Sequence, residues 1–422
     1  MTSPPESSHP LSPMSPLSPI ALQKIKNDDV RSAIFKALED IGAAKLFPRK
    51  GMNVLLKPNI LSAKPPERGV TTHPLIVKAV IQWVKQFLPA RILVCDSSGG
   101  KKSGDTARAM KASGIQAVCD EENAECVPFE TSQRSIFQVK NPLALDHFAS
   151  SSWLTEADVI INLPKIKTHE LCKLTCCIKN MFGTILLSNK AQMHTKFPSV
   201  DKFSAALVDV YAANTPHLTV VDGYIAMEGY GPAAGDPVDL NLIIAGYDGF
   251  AIDHLVCEII GLDPESIEFL RQGIKAGLGH RDLSQFQIIG ETIKSVYRKF
   301  KPPMRLPLRV LNFVPKFLLN YVTENLFHAQ INFDPKKCTL CGTCWDNCPV
   351  EALSPPSIRK RGVTTPEWSK KTCITCYCCS ELCPYEAIKF TIPLGRNVLY
   401  SRFGATLGIL TVAIILALIF WK

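Results

Sequence analysis

DVIINLPKIKTHELCKLTCCIKNMFG, residues 158–183, sets a short apolar run against a densely basic one. The run DVIINL (158–163) is too short and too continuously apolar for a surface helix. It reads as a buried strand of a parallel sheet, ended by Pro164. Lys165, Lys167, Lys173 and Lys179 follow the end of that strand, in the kind of loop where doubly wound sheets bind ligands. Lysines so placed favour a carboxylate or phosphate, and Asn180 and Gly183 stand beside them. Lys173 and the later Lys190 are equally compatible with solvated surface. In HELCKLTCC the spacing predicts Cys172 and Cys176 on one helix face, with His169 nearby. A metal is one reading of that trio, but its gaps match no common closed site, and small buried helix residues are the more usual outcome.

Outward from this stretch, strands alternate with helices. MNVLLK (52–57), RILVC (91–95), LTVVD (218–222) and LNLIIAG (240–246) read as further strands. THPLIVKAVIQWVKQFL (72–88) reads as an amphipathic helix with Thr72 as its N-cap and Pro74 in its first turn. FSAALVDVYAAN (203–214) and GFAIDHLVCEIIG (249–261) add two more helices. The expected fold is an α/β domain with a mainly parallel sheet over residues 22–290. Before it, the Ser/Pro-rich residues 1–21 read as a disordered tail without a secretory leader. After it, residues 291–330 form an apolar and basic linker, either a helix packed between domains or a membrane-surface helix.

The chain of 422 residues holds 16 cysteines. CTLCGTCWDNCP (338–349) and CITCYCCSELCP (373–384) both fit C-x2-C-x2-C-x3-C-P. In this spacing three thiolates hold three corners of one cubane and the fourth ligates the other. Cluster one is therefore assigned Cys338, Cys341, Cys344 and Cys383; cluster two takes Cys373, Cys376, Cys379 and Cys348. The repeat continues in VEAL (350–353) and YEAI (385–388), and Cys378 is read as a non-ligand. Residues 331–393 are expected to form a small α+β ferredoxin-like domain with two [4Fe–4S] clusters, with Arg359–Arg361 in a solvated loop or docking surface.

FGATLGILTVAIILALIFW (403–421) carries no charge and is long enough to cross a hydrocarbon core of about 30 Å as one C-terminal transmembrane helix. Arg396 and Arg402 before it, against Lys422 beyond, place the soluble domains on the cytoplasmic side. The net charge of +9 suits an anionic membrane surface or acidic ligand, and is not concentrated as in a nucleic-acid binder.

KPNIL (57–61), TTHPLIVKAVI (71–81), DSSGG (96–100), NLPKIKTH (162–169), IKNMFG (178–183), DGYIAMEGYGPAAGDP (222–237) and AIDHLVCEIIGLDP (251–264) occur in this order. Together they resemble the domain-of-unknown-function family numbered 362, which is often joined to a ferredoxin module. The resemblance spans roughly residues 50–290 and implies a fold with a motif-bearing cleft, but no reaction. Its motif residues fall at expected strand ends: Lys57 and Asn59; Asp96 and Ser97; Lys165, Lys167 and His169; Asp222 and Glu228. Lys165, Lys167, His169, Lys179 and Asn180 are the candidate catalytic set, with Lys57, Asn59, Asp96, Ser97, Asp222 and Glu228 as substrate-binding residues. GYGPAAGDP lacks the dinucleotide glycine spacing and DSSGG lacks a Walker ending, so neither NAD nor NTP binding is expected.

These features lead to a membrane-anchored iron–sulfur protein that exchanges electrons with a donor or acceptor protein. The electrons would go to or come from an anionic small molecule in the α/β domain, as in a ferredoxin-coupled oxidoreductase. The alternatives are a non-redox enzyme with structural clusters and a membrane-bound assembly scaffold.

Overall fold

Among the described residues, twelve strands lie in chain order in the first part of the chain. They are β1 (Ile20–Lys24), β2 (Asn53–Pro58), β3 (Arg91–Asp96), β4 (Glu125–Pro128), β5 (Arg134–Gln138), β6 (His147–Ser151), β7 (Val159–Leu163), β8 (Lys165–His169), β9 (Lys173–Thr175), β10 (Leu218–Glu228), β11 (Asp236–Gly246) and β12 (Ile288–Gly290). This computed structural model describes residues 18–302, apart from 101, 103, 198 and 281, together with 330–357 and 364–391. The chain divides into two compact units, Met1–Pro303 and Met304–Lys422.

In the first unit the sheet order is β12-β1-β11-β10-β7-β2-β3-β4, with β8 paired to β10 and β9 to β8. The run from β10 through β7, β2 and β3 to β4 is parallel. The β10–β11 and β1–β11 pairs are antiparallel. The sheet is thus mixed but mostly parallel. Alternation along β2 sends Val54 and Leu56 into one apolar core and Leu55 into the other, so both faces are covered, as parallel strands require. The helix Pro74–Lys85 covers one face; Val200–Ala213 and Gly249–Ile260 cover the other.

This topology creates the crevice. From β2 the chain steps to β3 and then β4 on one side, whereas β7 lies on the opposite side of β2 and is followed outward by β10. The direction of winding reverses between β2 and β7, and the carboxyl ends of these strands flank the switch point at which open α/β sheets bind ligands. Lys57 pairs in register with Asn162, and Pro58 with Leu163.

Several sequence expectations change. Lys165, Lys167 and His169 lie in strand β8, parallel to β10 and antiparallel to β9, not in a loop. Cys172 falls between β8 and β9, and Cys176 is the N-cap of the short helix Cys177–Met181, so they share no helix face. Pro164 ends β7 without ending extended structure, because β8 finds a new partner in β10. Asp222 and Glu228 lie within β10, which continues past the expected end at residue 222. The N-cap of Pro74–Lys85 is His73, since Thr72 Oγ1 donates instead to the Leu163 carbonyl at 2.7 Å and accepts from Asn59 N–H. Strand β1 takes in Ile20 and Ala21, assigned above to the tail, and Val296 and Phe300 of the supposed linker are buried in the first unit. Residues 1–17, 303–329, the Arg359–Arg361 stretch and the apolar segment 403–421 lie outside the described residues. Among those described, no helix is long and apolar enough to cross a membrane.

The second unit is small and cysteine-rich. Strand β13 (Gln330–Phe333) pairs antiparallel with β16 (Ile388–Thr391), and β14 (Leu353–Ser354) with β15 (Glu367–Trp368). Its buried cluster combines Ile331, Ala352, Leu353, Ala387 and Ile388 with Cys344, Cys348, Cys379 and Cys383. So few aliphatic side chains make a marginal core for a unit this small.

Candidate functional site

The eight cysteines of the two runs sort into two cavities. One is lined by Cys338, Cys341, Cys344 and Cys383; the other by Cys348, Cys373, Cys376 and Cys379. Each encloses about 310 Å³ of atom-free space including its mouth, so the pair suits two groups of one size. The fourth cysteine of each run crosses to the cavity of the other, as the spacing predicts.

The backbone repeats with the sequence. Leu340 and Thr375, Gly342 and Tyr377, and Glu351 and Glu386 occupy equivalent places in the two runs, and all six have positive φ. Such conformations cost energy outside glycine, and here they wrap the chain tightly around both cavities. The Ala352 N–H donates to Cys348 Sγ at 3.2 Å, and the Ala387 N–H to Cys383 Sγ at 3.3 Å. Amide donors to sulfur stabilise thiolate and help set cluster potential. Cys378 lines neither cavity and its Sγ faces the Cys376 carbonyl at 3.8 Å. The donor set fits two [4Fe–4S] clusters, which supply one-electron chemistry when bound.

In the first unit the switch point is lined by buried lysines. Lys57, Lys165 and Lys167 are all 0% exposed. Lys57 Nζ donates to Asp96 Oδ1 at 2.7 Å, and Lys165 Nζ to Asp222 Oδ2 at 2.8 Å. Burial pushes both amines below their ordinary values, and the partner carboxylate opposes it in each case. Asp96 also accepts from Ile60 N–H, and Asp222 from the N–H groups of His73 and Tyr224. Lys167 Nζ donates to Asn59 Oδ1 and the Val70 carbonyl. Asn59 Nδ2 donates to Asn180 Oδ1, and Asn180 Nδ2 to Asn162 Oδ1. One polar network therefore joins the ends of β2, β7 and β8 to the helix Cys177–Met181. A buried charge is tolerated only when paired and hydrogen-bonded, which is why the lysines turn to protein oxygens.

The remaining candidates divide. Ser97 Oγ accepts from Leu187 N–H at 3.0 Å, and Lys179 is half-buried beside the Phe182 ring, 5.9 Å from its centroid. His169 is buried, its Nδ1 accepting from the N–H groups of Leu171 and Cys172. Glu228 is held elsewhere by Lys301, at 3.0 Å. Gly183 has a clear reason to be glycine: a Cβ there would lie 2.5 Å from Asp96 Oδ1 and 2.6 Å from Lys57 Nζ. Gly183→Ala is expected to push the ion pair apart and cost about 1–3 kcal/mol, read as a fall in urea midpoint.

Two residues escaped the sequence reading. His73, beside Asp222 through its N–H and edge-on to Tyr224 with ring centroids 5.0 Å apart, was visible only as a residue before proline. Lys190 was compatible with surface, yet it is 8% exposed. Its Nζ donates to the carbonyls of Ser97 and Ser98, the latter at 2.7 Å. Burial pushes it down to about 7, with Asp96 opposing and Lys57 assisting. The ordinary value is 10.5, so between these limits the unfolded chain holds a proton that the folded one has released. Stability therefore rises with pH through that window and the penalty is greatest below pH 7. Lys190→Met is expected to flatten the stability profile there by up to about one proton, measured by urea unfolding at stepped pH.

Comparison with known proteins matches both units. Residues 54–258 match the family described as Domain of unknown function (DUF362), and residues 337–387 match the 4Fe-4S dicluster domain. The thylakoid-associated protein sll1697 of Synechocystis sp. is 32% identical over 249 residues, covering 57% of this chain and 73% of that protein. Similarity to solved structures is weak. The lactate racemase apoprotein of Thermoanaerobacterium thermosaccharolyticum shows 15% identity and a TM-score of 0.32, covering 55% of this chain and 54% of that one. A structural-genomics protein from Thermotoga maritima shows 12% identity and a TM-score of 0.36, with 60% of each chain covered. This chain thus spans little more than half the length of either structure. By the family match and the extent of its likeness to the Synechocystis protein, the chain belongs to the DUF362 family, and it carries a two-cluster 4Fe-4S domain.

Proposed function

We propose that this protein is a membrane-anchored electron carrier whose two [4Fe–4S] clusters exchange electrons between a redox partner protein and an anionic small molecule held in the first unit. The carrying observation is the sorting of eight cysteines into two four-thiol cavities, on one chain with a buried cluster of lysines at a sheet switch point. The candidate catalytic group is Lys165, Lys167, His169, Lys179 and Asn180, with Lys57, Asn59, Asp96, Ser97 and Asp222 shaping the crevice.

Anchoring rests on the uncharged segment 403–421 and is supported by the thylakoid association in the relative's name. Arg396 and Arg402 favour a cytoplasmic placement of both units. The test is reduction of the full chain in detergent by dithionite, followed by electron paramagnetic resonance and by mixing with an oxidised dye. Two interacting [4Fe–4S]⁺ signals that disappear on dye reduction support the reading. Folded protein that carries zinc and stays silent refutes it.

A further inference from the structure

We propose that Lys190 is a nucleophilic amine that captures a small anionic carbonyl compound, such as a 2-oxo acid, as an imine at the carboxyl ends of β3 and β4. This deepens the reading of the first unit as a small-molecule site and rests on it, but it is independent of the clusters.

Lys190 differs from Lys57 and Lys165 in one respect. Among the described residues its amine bonds only to the neutral carbonyls of Ser97 and Ser98, whereas the other two are locked to carboxylates. The charged groups facing it are Asp96 of β3, Lys57 of β2, Glu130 after β4, and Lys179 of the helix Cys177–Met181. Two of the four are ammonium groups, and a desolvated lysine beside other cations is the kind that reacts as free amine at neutral pH. Lys179, the half-buried one of the two, would attract the carboxylate of an incoming 2-oxo acid.

A proton carrier is also present. Both carboxylate oxygens of Glu130 are buried with no hydrogen-bond partner among the described residues, which leaves each of them able to accept a proton. In the step itself, Nζ adds to the carbonyl carbon and the carbonyl oxygen becomes a hydroxyl. That hydroxyl then leaves as water, taking both amine protons, and C=N remains. Glu130, whose charge bears on Lys190, would relay protons from nitrogen to the departing oxygen.

The test uses the full chain with clusters loaded, glyoxylate as the probe and cyanoborohydride to trap the imine, with adducts located by peptide mass spectrometry. At pH 7 Lys190 is expected to be modified at least about tenfold faster than the exposed Lys111 and Lys202, with half-maximal rate near neutrality. Lys179→Met, which removes a neighbouring cation, should slow capture at pH 7. Labelling of Lys190 no faster than Lys111 and Lys202, or rising only above about pH 9 as for an ordinary lysine, overturns the proposal. Neither result alters iron content or cluster reduction, so failure here is distinguishable from failure of the electron-carrier reading.

Discussion

Anaerobically purified protein is expected to contain close to eight irons per chain, two clusters of four, and Cys379→Ala to lose at least the four of the second cluster. The effect should exceed that of an ordinary core truncation. Four of the buried residues in the second unit's core are themselves cluster-lining cysteines, and the aliphatic remainder is small. Metal-ligand free energy in such a unit is folding free energy, so chelation should unfold it while the first unit stays folded. Cys378→Ser is the matched control: it stands next to Cys379 but lines neither cavity, and should keep all the iron. Equal iron loss in the two variants would show that the ligand assignment is wrong. Iron analysis with visible absorbance distinguishes these outcomes.

The second large effect is expected from Asp222→Ala, which should cost the first unit about 3–5 kcal/mol. The change strips the partner from Lys165, where neither side chain has any exposure, and also orphans the N–H groups of His73 and Tyr224. Lys165→Met should cost less, because Asp222 keeps those two N–H donors and a methionine stem fills much of the lysine's volume. Combining Lys165→Met with Asp222→Leu should be strongly non-additive, as expected for residues sharing one buried pair. Urea unfolding followed by the fluorescence of Trp83 and Trp153 measures all three. A cost below about 1 kcal/mol for Asp222→Ala would place the pair among exposed ion pairs and contradict its burial.

Both expectations show what could be read from residues alone. The two-cluster domain was legible because its chemistry is local. Four thiolates must meet one cubane, the x2 and x3 gaps set the reach of the backbone, and the repeated run discloses the exchange of fourth ligands. Cys378 could be dismissed by counting. The strands NVLLK, RILVC and VIINL were legible because apolar runs of five or six residues, buried on both faces, have few alternatives.

The crevice was legible only as a set of residues. Lys57, Asn59, Asp96, Lys165, Lys167, Asn180 and Asp222 were all named from the motifs, but their relations were not. Lysines after a proline read as an anion-facing loop, and nothing local in KIKTH says that it will form β8 against β10. That pairing is a long-range contact, and it turns a presumed anion-facing surface into the Lys165–Asp222 ion pair with no exposure and a Lys167 amine turned to Asn59 and the Val70 carbonyl. For the same reason Cys172 and Cys176, whose spacing suits a helix, were placed on one: β9 forms only because β8 is there to receive it. Lys190, in the helix Ser188–Lys196, was misjudged because a lone lysine looks solvated until the Ser97 and Ser98 carbonyls after β3 close on it.

By itself, then, the sequence determined the two cysteine runs of a two-cluster 4Fe-4S domain, the alternation of strands and helices, and the identity of most polar residues at the switch point. The tertiary structure decided which lysines are neutralised by a carboxylate, as Lys57 and Lys165 are, and which donate to neutral oxygens, as Lys167 and Lys190 do. That division depends on which strands become neighbours, and the pairing of a buried charge depends on distances of about 3 Å between residues as far apart in the chain as Lys165 and Asp222.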